Sequence, residues 1–353
     1  MFTIQDILRV AAEKKSSDIH LAVESPPGFR INGELMTAGA TNLTREDTKQ
    51  LAYSMMTQDQ QQRFEELGEL DFSYSISGVG RFRVNCFKQR GSVGLVIRLI
   101  PFTVPAFESL RLPPVIMDFA KLHSGLVVVT GPTGSGKSTT LASMIDYINS
   151  TRRCHIITLE DPIEYLHRHK KSLVNQREVG ADTQSFAAAL RSVLRQDPDV
   201  ILVGELRDLE TISTALTAAE TGHLVFSTLH TNDSTQTVDR MIDVFPSHQQ
   251  QQIRVLLSAV LQGVVAQQLL PKADGTGRVA SIEVLVATSA IRNLIREAKS
   301  HQIYTSIQTG AKYGMQTMDK ALLELYQAGL ITYDEAEKKM LDPEALKKTS
   351  FGF

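Results

Sequence analysis

The sequence predicts an α/β protein in two unlike parts: a mixed α+β domain over residues 1–99, then a larger domain of apolar strands alternating with helices. Three observations predict it. The first hundred residues hold short runs of β-formers separated by glycines. Beyond residue 112 the strands are apolar without alternation, the pattern of a sheet covered on both faces. One of those strands runs into a glycine-rich loop, Gly131–Ser138, that opens a helix.

In chain order, Phe2 to Lys15 places Ile4, Ile7, Leu8 and Ala11 at helical spacing, so a first amphipathic helix is expected. Phe29-Arg30-Ile31-Asn32-Gly33-Glu34-Leu35 sets an Asn-Gly pair between strand-like residues, a hairpin signal because such a turn needs positive φ at both central residues. Thr44-Arg45-Glu46-Asp47 opens a second helix with a capping-box pattern. Leu70–Ile76, Arg81–Phe87 and Val93–Leu99 read as strands, with Gly78, Gly80 and Gly91 marking turns. The result is a small antiparallel sheet with helices on one side. Residues 100–111 form the expected linker, since Pro101 and Pro105 favour extended chain.

Over residues 112–287 the candidate strands are Leu126–Thr130, His155–Leu159, Val200–Val203 and Leu224–Thr228. The helical stretches are Lys137–Ile148, Phe186–Leu194, Leu209–Ala219 and Thr235–Ile242. Residues 288–353 read as a helical region, in which Thr332-Tyr333-Asp334-Glu335 is another capping box.

Composition narrows the function classes. Apolar residues make up 42% of the 353, which excludes a disordered chain, and no apolar run approaches the roughly 20 residues of a membrane span. The first residues lack the basic stretch and long apolar core of a secretory signal. Cys86 and Cys154 cannot supply a disulfide framework or a four-thiolate zinc site, so a reducing cytoplasm is the simplest setting. Lys and Arg number 37 against 39 Asp and Glu, and the first 111 residues balance at 13 of each. Neither part has the basic excess of counterion-driven nucleic-acid binding.

Gly131-Pro132-Thr133-Gly134-Ser135-Gly136-Lys137-Ser138 matches the phosphate-loop pattern in full, with a strand before it and a helix after it. Glycines let backbone N–H groups close around phosphate oxygens, and the helix N-terminus adds favourable partial charge. Gly131, Thr133, Gly134, Ser135, Gly136, Lys137, Ser138 and Thr139 are the candidate nucleotide-binding residues. Lys137 is placed to meet the β- and γ-phosphates of ATP, and the Ser138 hydroxyl to bind magnesium.

Hydrolysis needs more than a phosphate loop: an acid that positions water, and charge compensation at the γ-phosphate. Asp199-Val200-Ile201-Leu202-Val203-Gly204-Glu205 is an apolar strand ending in an acid, which makes Glu205 the candidate base. The magnesium-side Asp of many such enzymes is Gly204 here, so another carboxylate has to help hold the metal's water shell. Glu160, Asp161 and Glu164, directly after the strand that ends at Leu159, are the nearest source. Ser227-Thr228-Leu229-His230-Thr231-Asn232-Asp233 ends the next strand with a polar cluster, at the end of the sheet where α/β ligands bind, which makes His230 a functional candidate. His20, His123, His223, His248 and His301 read as satisfied structural histidines, and His167-Arg168-His169-Lys170-Lys171 as a solvated loop.

These motifs together resemble the secretion (traffic) ATPase superfamily, whose members drive type II secretion and type IV pili. The resemblance spans nearly the whole chain. It rests on Ser17–Leu21, the phosphate loop, Ile157-Thr158-Leu159-Glu160-Asp161-Pro162-Ile163-Glu164, Val203-Gly204-Glu205-Leu206-Arg207-Asp208, and the run Ser227 to Asp233. It implies a PAS-like N-terminal domain (1–99) joined through the linker to a RecA-like P-loop ATPase core (112–287), assembled as a homo-hexamer. In this superfamily a glycine before the strand-end Glu is ordinary. Arginines of the N-terminal domain reach bound nucleotide, a role the resemblance carries to Arg83 and Arg98, with Arg81 on the same face of a strand.

Ala290-Ile291-Arg292-Asn293-Leu294-Ile295-Arg296-Glu297 resembles a motif of the superfamily's pilus-retraction branch. On a helix it shows Ile291, Leu294 and Ile295 on one face and leaves Arg292, Asn293 and Arg296 outward. The implied function is a hexameric, ATP-hydrolysing motor that powers pilus retraction, and so twitching motility, by ATP-driven domain movements. Such a motor is cytoplasmic, sits peripherally at the inner-membrane pilus base against the platform protein, binds no nucleic acid and does not insert in the membrane. The alternatives are a pilus-extension or type II secretion ATPase, a non-hydrolysing accessory paralogue, and a DNA motor. The resemblance implies that members of the first group carry an extra N-terminal domain and a four-cysteine zinc motif; with only Cys154 in the C-terminal part and the PAS-like part expected almost directly at the start, the retraction branch is the expectation. Against the second stand Glu205 and the intact loop, and against the third the charge balance and the lack of aromatic-basic clusters.

Overall fold

The computed structural model describes residues 3–31, 34–37, 39, 41–100, 103–344 and 346. The chain forms two compact units, residues 1–103 with 164–166, and residues 104–163 with 167–353.

The first unit runs α1 (Ile4–Glu13), β1 (Asp18–Leu21), β2 (Gly28–Ile31), β3 (Glu34–Thr37), α2 (Arg45–Tyr53), α3 (Gln58–Leu67), β4 (Glu69–Ile76), β5 (Gly80–Gln89) and β6 (Ser92–Ile100). The helices begin where side chains replace the missing backbone partners of a first turn. Thr3, Thr44 and Thr57 each close a full capping box, with Asp6, Asp47 and Gln60 as the returning residues. The six strands form one antiparallel sheet, ordered β3-β2-β1-β6-β5-β4. Alternation sends Phe82, Val84, Cys86, Leu95 and Ile97 into a core shared with Ile4, Leu8, Leu51 and Phe64 of the helices. The opposite face is polar. Ser73, Arg83, Arg98, Asp18 and Arg30 stand in one transverse row across five strands. The expected Asn32-Gly33 turn lies outside the described residues, as do Phe2, Pro101 and Phe102. His20 departs from expectation, because its buried Nε2 has no hydrogen-bond partner among the described residues.

The second unit holds α4 (Pro114–Lys121), β7 (Gly125–Thr130), α5 (Lys137–Thr151), β8 (His155–Glu160), β9 (Leu173–Glu178), α6 (Phe186–Val193), β10 (Val200–Val203) and α7 (Leu209–Glu220). It continues through β11 (Leu224–Leu229), α8 (Ser234–Asp243), α9 (Ser247–Val260), β12 (Leu261–Pro271), β13 (Arg278–Val286), α10 (Ser289–Arg296), α11 (Ile303–Thr309), α12 (Met318–Gln327) and α13 (Tyr333–Glu337). Its sheet is mixed, in the order β13-β12-β7-β11-β10-β8-β9, parallel throughout except for the β12–β13 pair.

Successive residues of the central strands feed two different cores, which is why these strands read as unbroken apolar runs. Leu126, Val128, Ile157, Ile201 and Val225 pack with α6–α10 on one face. Val127, Val129, Ile156, Leu202 and Phe226 pack with α4 and α5 on the other. Each such fully buried side chain contributes roughly 1.5–3 kcal/mol of transfer free energy. A further cluster joins Met318, Leu322 and Ala336 of the C-terminal helices to Leu270 and Val279 of β12 and β13.

Three expectations need correction in this unit. The Thr332 box is half formed: its hydroxyl accepts from Glu335 N, with no returning bond among the described contacts. The loop after His167 is not simply solvated, because Asn149 of α5 ties it down by donating to Arg168 O and accepting from Lys170 N. Burial there pushes the His167 pKa down to about 4. Third, Arg292 does not point outward, because its guanidinium turns back onto carbonyls of α9.

Candidate active site

The phosphate loop hangs between two fixed anchors, the six buried residues of β7 and the first turn of α5. At Gly131 (φ 139°) a Cβ would lie 2.2 Å from the backbone O of Gln267, so no side chain fits. At Gly136 (φ 90°), the cap of α5, it would lie 2.7 Å from Gln267 Nε2. The loop is therefore pressed against β12, and the first N–H groups of α5, which have no preceding helical turn, give it the character of an anion site. Lys137 Nζ donates to Gly131 O (2.8 Å) and Pro132 O (3.1 Å), which keeps the ammonium folded over the loop. Thr133 and Gly134 are exposed, Ser138 and Thr139 half-buried, and Ser135 buried, its Oγ without a hydrogen-bond partner among the described residues. A glycine-bounded cradle, an ammonium across it and a hydroxyl at Ser138 are the donor set that a nucleotide triphosphate with magnesium takes.

The strand ends beside the loop are stitched by hydrogen bonds to backbone carbonyls. Gly204 N donates to Leu159 O (2.7 Å), Leu206 N to Thr228 O (3.0 Å), and Thr228 Oγ1 to Gly204 O (2.5 Å). A Cβ at position 204 would stand 3.1 Å from Leu159 O and 3.2 Å from the Phe186 ring, so a side chain there would be tight from its first carbon. Glu205 follows, buried, with both oxygens engaged: Oε1 meets Arg207 at 2.5 Å, and Oε2 lies 3.3 Å from His230 Nε2. Thr130 Oγ1, at the end of β7, donates to Thr231 O (2.7 Å), which ties the His230 segment to the strand that carries the phosphate loop.

Of the three acids after β8, Glu160 accepts from Thr158 Oγ1 (2.7 Å) and Gln176 Nε2 (3.0 Å). Asp161 is exposed and belongs to the second unit with Glu160, whereas Glu164, also exposed, groups with the first. In the first unit Arg83 stands directly opposite Arg98 across β5 and β6. Arg98 Nε donates to Asp18 Oδ1 (2.9 Å), and Arg83 lies 3.7 Å from Asp71. Arg81 lies two residues before Arg83, on the same face of β5.

The C-terminal motif forms α10, capped by Thr288, with Ile291 and Ile295 in the core. Arg292 donates to Ser258 O (2.6 Å), Ala259 O (2.7 Å) and Gln262 Oε1 (3.1 Å). A guanidinium placed on the orphan carbonyls of the last turn of α9 satisfies groups that helical periodicity alone would have left to water. Burial lowers the pKa of Arg292 from its ordinary value, and Arg296 lowers it further.

Sequence reasoning missed two contributors. Gln267, buried on β12, donates from Nε2 to Ser135 O (2.7 Å) and accepts from Thr140 Oγ1 (2.8 Å). Arg207 was visible inside a motif but carried no assigned role. Gln267 had no local signal at all, because it lies 132 residues from the serine it holds.

The family model described as type II/IV secretion system protein matches residues 2–338. The type IV pilus retraction ATPase PilT of Pseudomonas aeruginosa is 50% identical over 341 residues, covering 97% of this chain and 99% of its own length. A twitching motility protein of Neisseria gonorrhoeae is 47% identical over 345 residues, covering 98% of this chain and 92% of its own. The crystal structure of the pilus retraction motor PilT with bound ADP superposes with a TM-score of 0.92 at 53% identity, covering 99% of this chain and all of that one. With the family model matched from residue 2 to residue 338 and relatives alike along nearly their whole length, this chain belongs to the type II/IV secretion system protein family.

Proposed function

We propose that this chain is an ATP-hydrolysing motor that powers type IV pilus retraction, working as a homo-hexamer at the cytoplasmic side of the pilus base against the platform protein. In this reading residues 1–99 are a PAS-like domain, 112–287 a RecA-like core and 288–353 a helical region that serves retraction. The observation that carries it is the buried Glu205 carboxylate, paired with His230 at the end of the strand group that also presents the phosphate loop.

The loop amides and Lys137 hold the phosphates, and Ser138 offers its hydroxyl to magnesium. Magnesium, when bound, neutralises phosphate charge. Glu205 orients the attacking water and takes its proton, while His230 fixes the carboxylate's direction. Glu160 and Asp161, with Glu164, supply the acidic surroundings, and Arg83 and Arg98 bring positive charge to the phosphates in the transition state. ATP is the substrate, and release of phosphate drives the domain movement.

Phosphate release by the purified chain, measured against protein concentration with mass by light scattering, tests this. Turnover is expected to rise with assembly. A fully active monomer removes the ring, and absence of turnover removes the motor. In a piliated bacterium that carries this chain, its deletion is expected to leave surplus pili; their loss instead would assign the chain to pilus extension.

A further inference from the structure

Phosphate loops work by turning N–H groups toward an anion and keeping their own carbonyls away from it. Something must therefore hold each inward-facing carbonyl. In this chain the Ser135 carbonyl accepts the Gln267 side-chain amide at 2.7 Å, and that side chain is 3% exposed. Because a trans peptide sets C=O and the next N–H on opposite sides, anchoring Ser135 O against β12 turns the Gly136 N–H away from β12. The orientation of the Gln267 amide is itself determined. Its oxygen accepts from Thr140 Oγ1 at 2.8 Å, and the flipped amide would set two oxygens against each other at Ser135. Gln267 also fills the space a Cβ at Gly131 or Gly136 would need, so loop and strand fit without slack.

We infer that Gln267 is a positioning residue for nucleotide binding, one that holds the Ser135–Gly136 peptide in its phosphate-ready orientation from a neighbouring strand. The inference rests on the ATPase reading above and adds a residue to it. Its energy enters at binding. With the amide lost, the peptide is free to turn, and an inward carbonyl repels the phosphates in substrate and product alike. The effect therefore falls on affinity rather than on the chemical step.

The test uses the full chain with Gln267→Met, which keeps length and burial but has no amide donor, and Thr140→Val, which removes only the hydroxyl that orients the amide. Three quantities are read: the dissociation constant of a fluorescent ADP analogue, KM and kcat for ATP, and the melting temperature without nucleotide. Gln267→Met is expected to weaken ADP and raise KM by about tenfold or more, with kcat at saturating ATP within about threefold and the nucleotide-free melting temperature near the parent's. Thr140→Val is expected to shift affinity in the same direction by a smaller factor. Parent-like affinity in Gln267→Met overturns the inference. So does a joint fall of melting temperature, kcat and affinity, which would assign Gln267 to the fold alone. If Gln267→Met does not fold, Thr140→Val decides, and unchanged affinity there overturns it. A parent chain that neither binds ADP nor releases phosphate is a different failure, that of the ATPase reading.

Discussion

Glu205 and His230 meet at 3.3 Å across the ends of two adjacent parallel strands, although 25 residues separate them in the chain. The carboxylate's other oxygen lies against Arg207, so a buried charge is held from two sides. Burying a carboxylate is costly unless partners replace its water, and these two partners leave it a defined direction. That is the arrangement a water-positioning base requires.

Glu205→Gln keeps shape and loses basicity. ATP binding is expected to stay within a few-fold of the parent, and the phosphate-release rate to fall by roughly 10²–10⁴-fold. Filter binding with single-turnover phosphate release separates the two. Ordinary turnover in this variant would move the base to Glu160 or Asp161.

Lys137→Ala removes the ammonium that donates to Gly131 and Pro132. Phosphate charge is then uncompensated in both ground and transition states, so nucleotide affinity and turnover are lost together. Isothermal titration with ADP reads the binding loss directly, and parent-like affinity would contradict this role.

Arg292→Ala leaves the Ser258 and Ala259 carbonyls without their guanidinium donor. A loss of about 1–3 kcal/mol of stability is expected, read as a lower urea midpoint with an unchanged slope. Arg296→Ala, whose side chain is exposed one turn on, should cost under about 0.5 kcal/mol. Equal losses in the two variants would mean that the clamp on α9 is not what the motif supplies to the fold.

His167 makes stability depend on pH. Burial puts its folded pKa at about 4, below the 6.5 of an ordinary histidine. The unfolded chain therefore takes the proton first, so the contribution is fully present above about pH 6.5 and is lost as pH falls toward 4. The shift corresponds to at most about 3 kcal/mol. Urea midpoints of the parent and His167→Gln, compared from pH 7.5 to 4.5, should converge or cross as the parent loses this contribution. Parallel curves would show that His167 titrates as if exposed.

Much of the second unit was legible because its signals are local. Val200–Val203 occurs as read, and Leu126–Thr130 and Phe186–Leu194 differ from the observed elements by one residue each. Strand β12 was not found. Helix α9 passes into it at Val260–Leu261 without a glycine, proline or cap to mark the change, and Gln267-Gln268 interrupts its apolar run. The four-residue β1 is too short for periodicity to register, and only its sheet partners make it a strand.

At the site, the sequence by itself determined the chemistry: which groups can cradle phosphate, take a proton or carry charge, since turn glycines, strand runs and caps act within a few residues. Tertiary structure alone decided the partners. Insertion of β12 beside β7 sets Gln267 against Ser135, and the packing of α10 on α9 puts Arg292 on its carbonyls. Neither contact follows from spacing along the chain. Strand order and helix packing are outcomes of burying the whole apolar surface at once, and that balance is struck only by the complete fold.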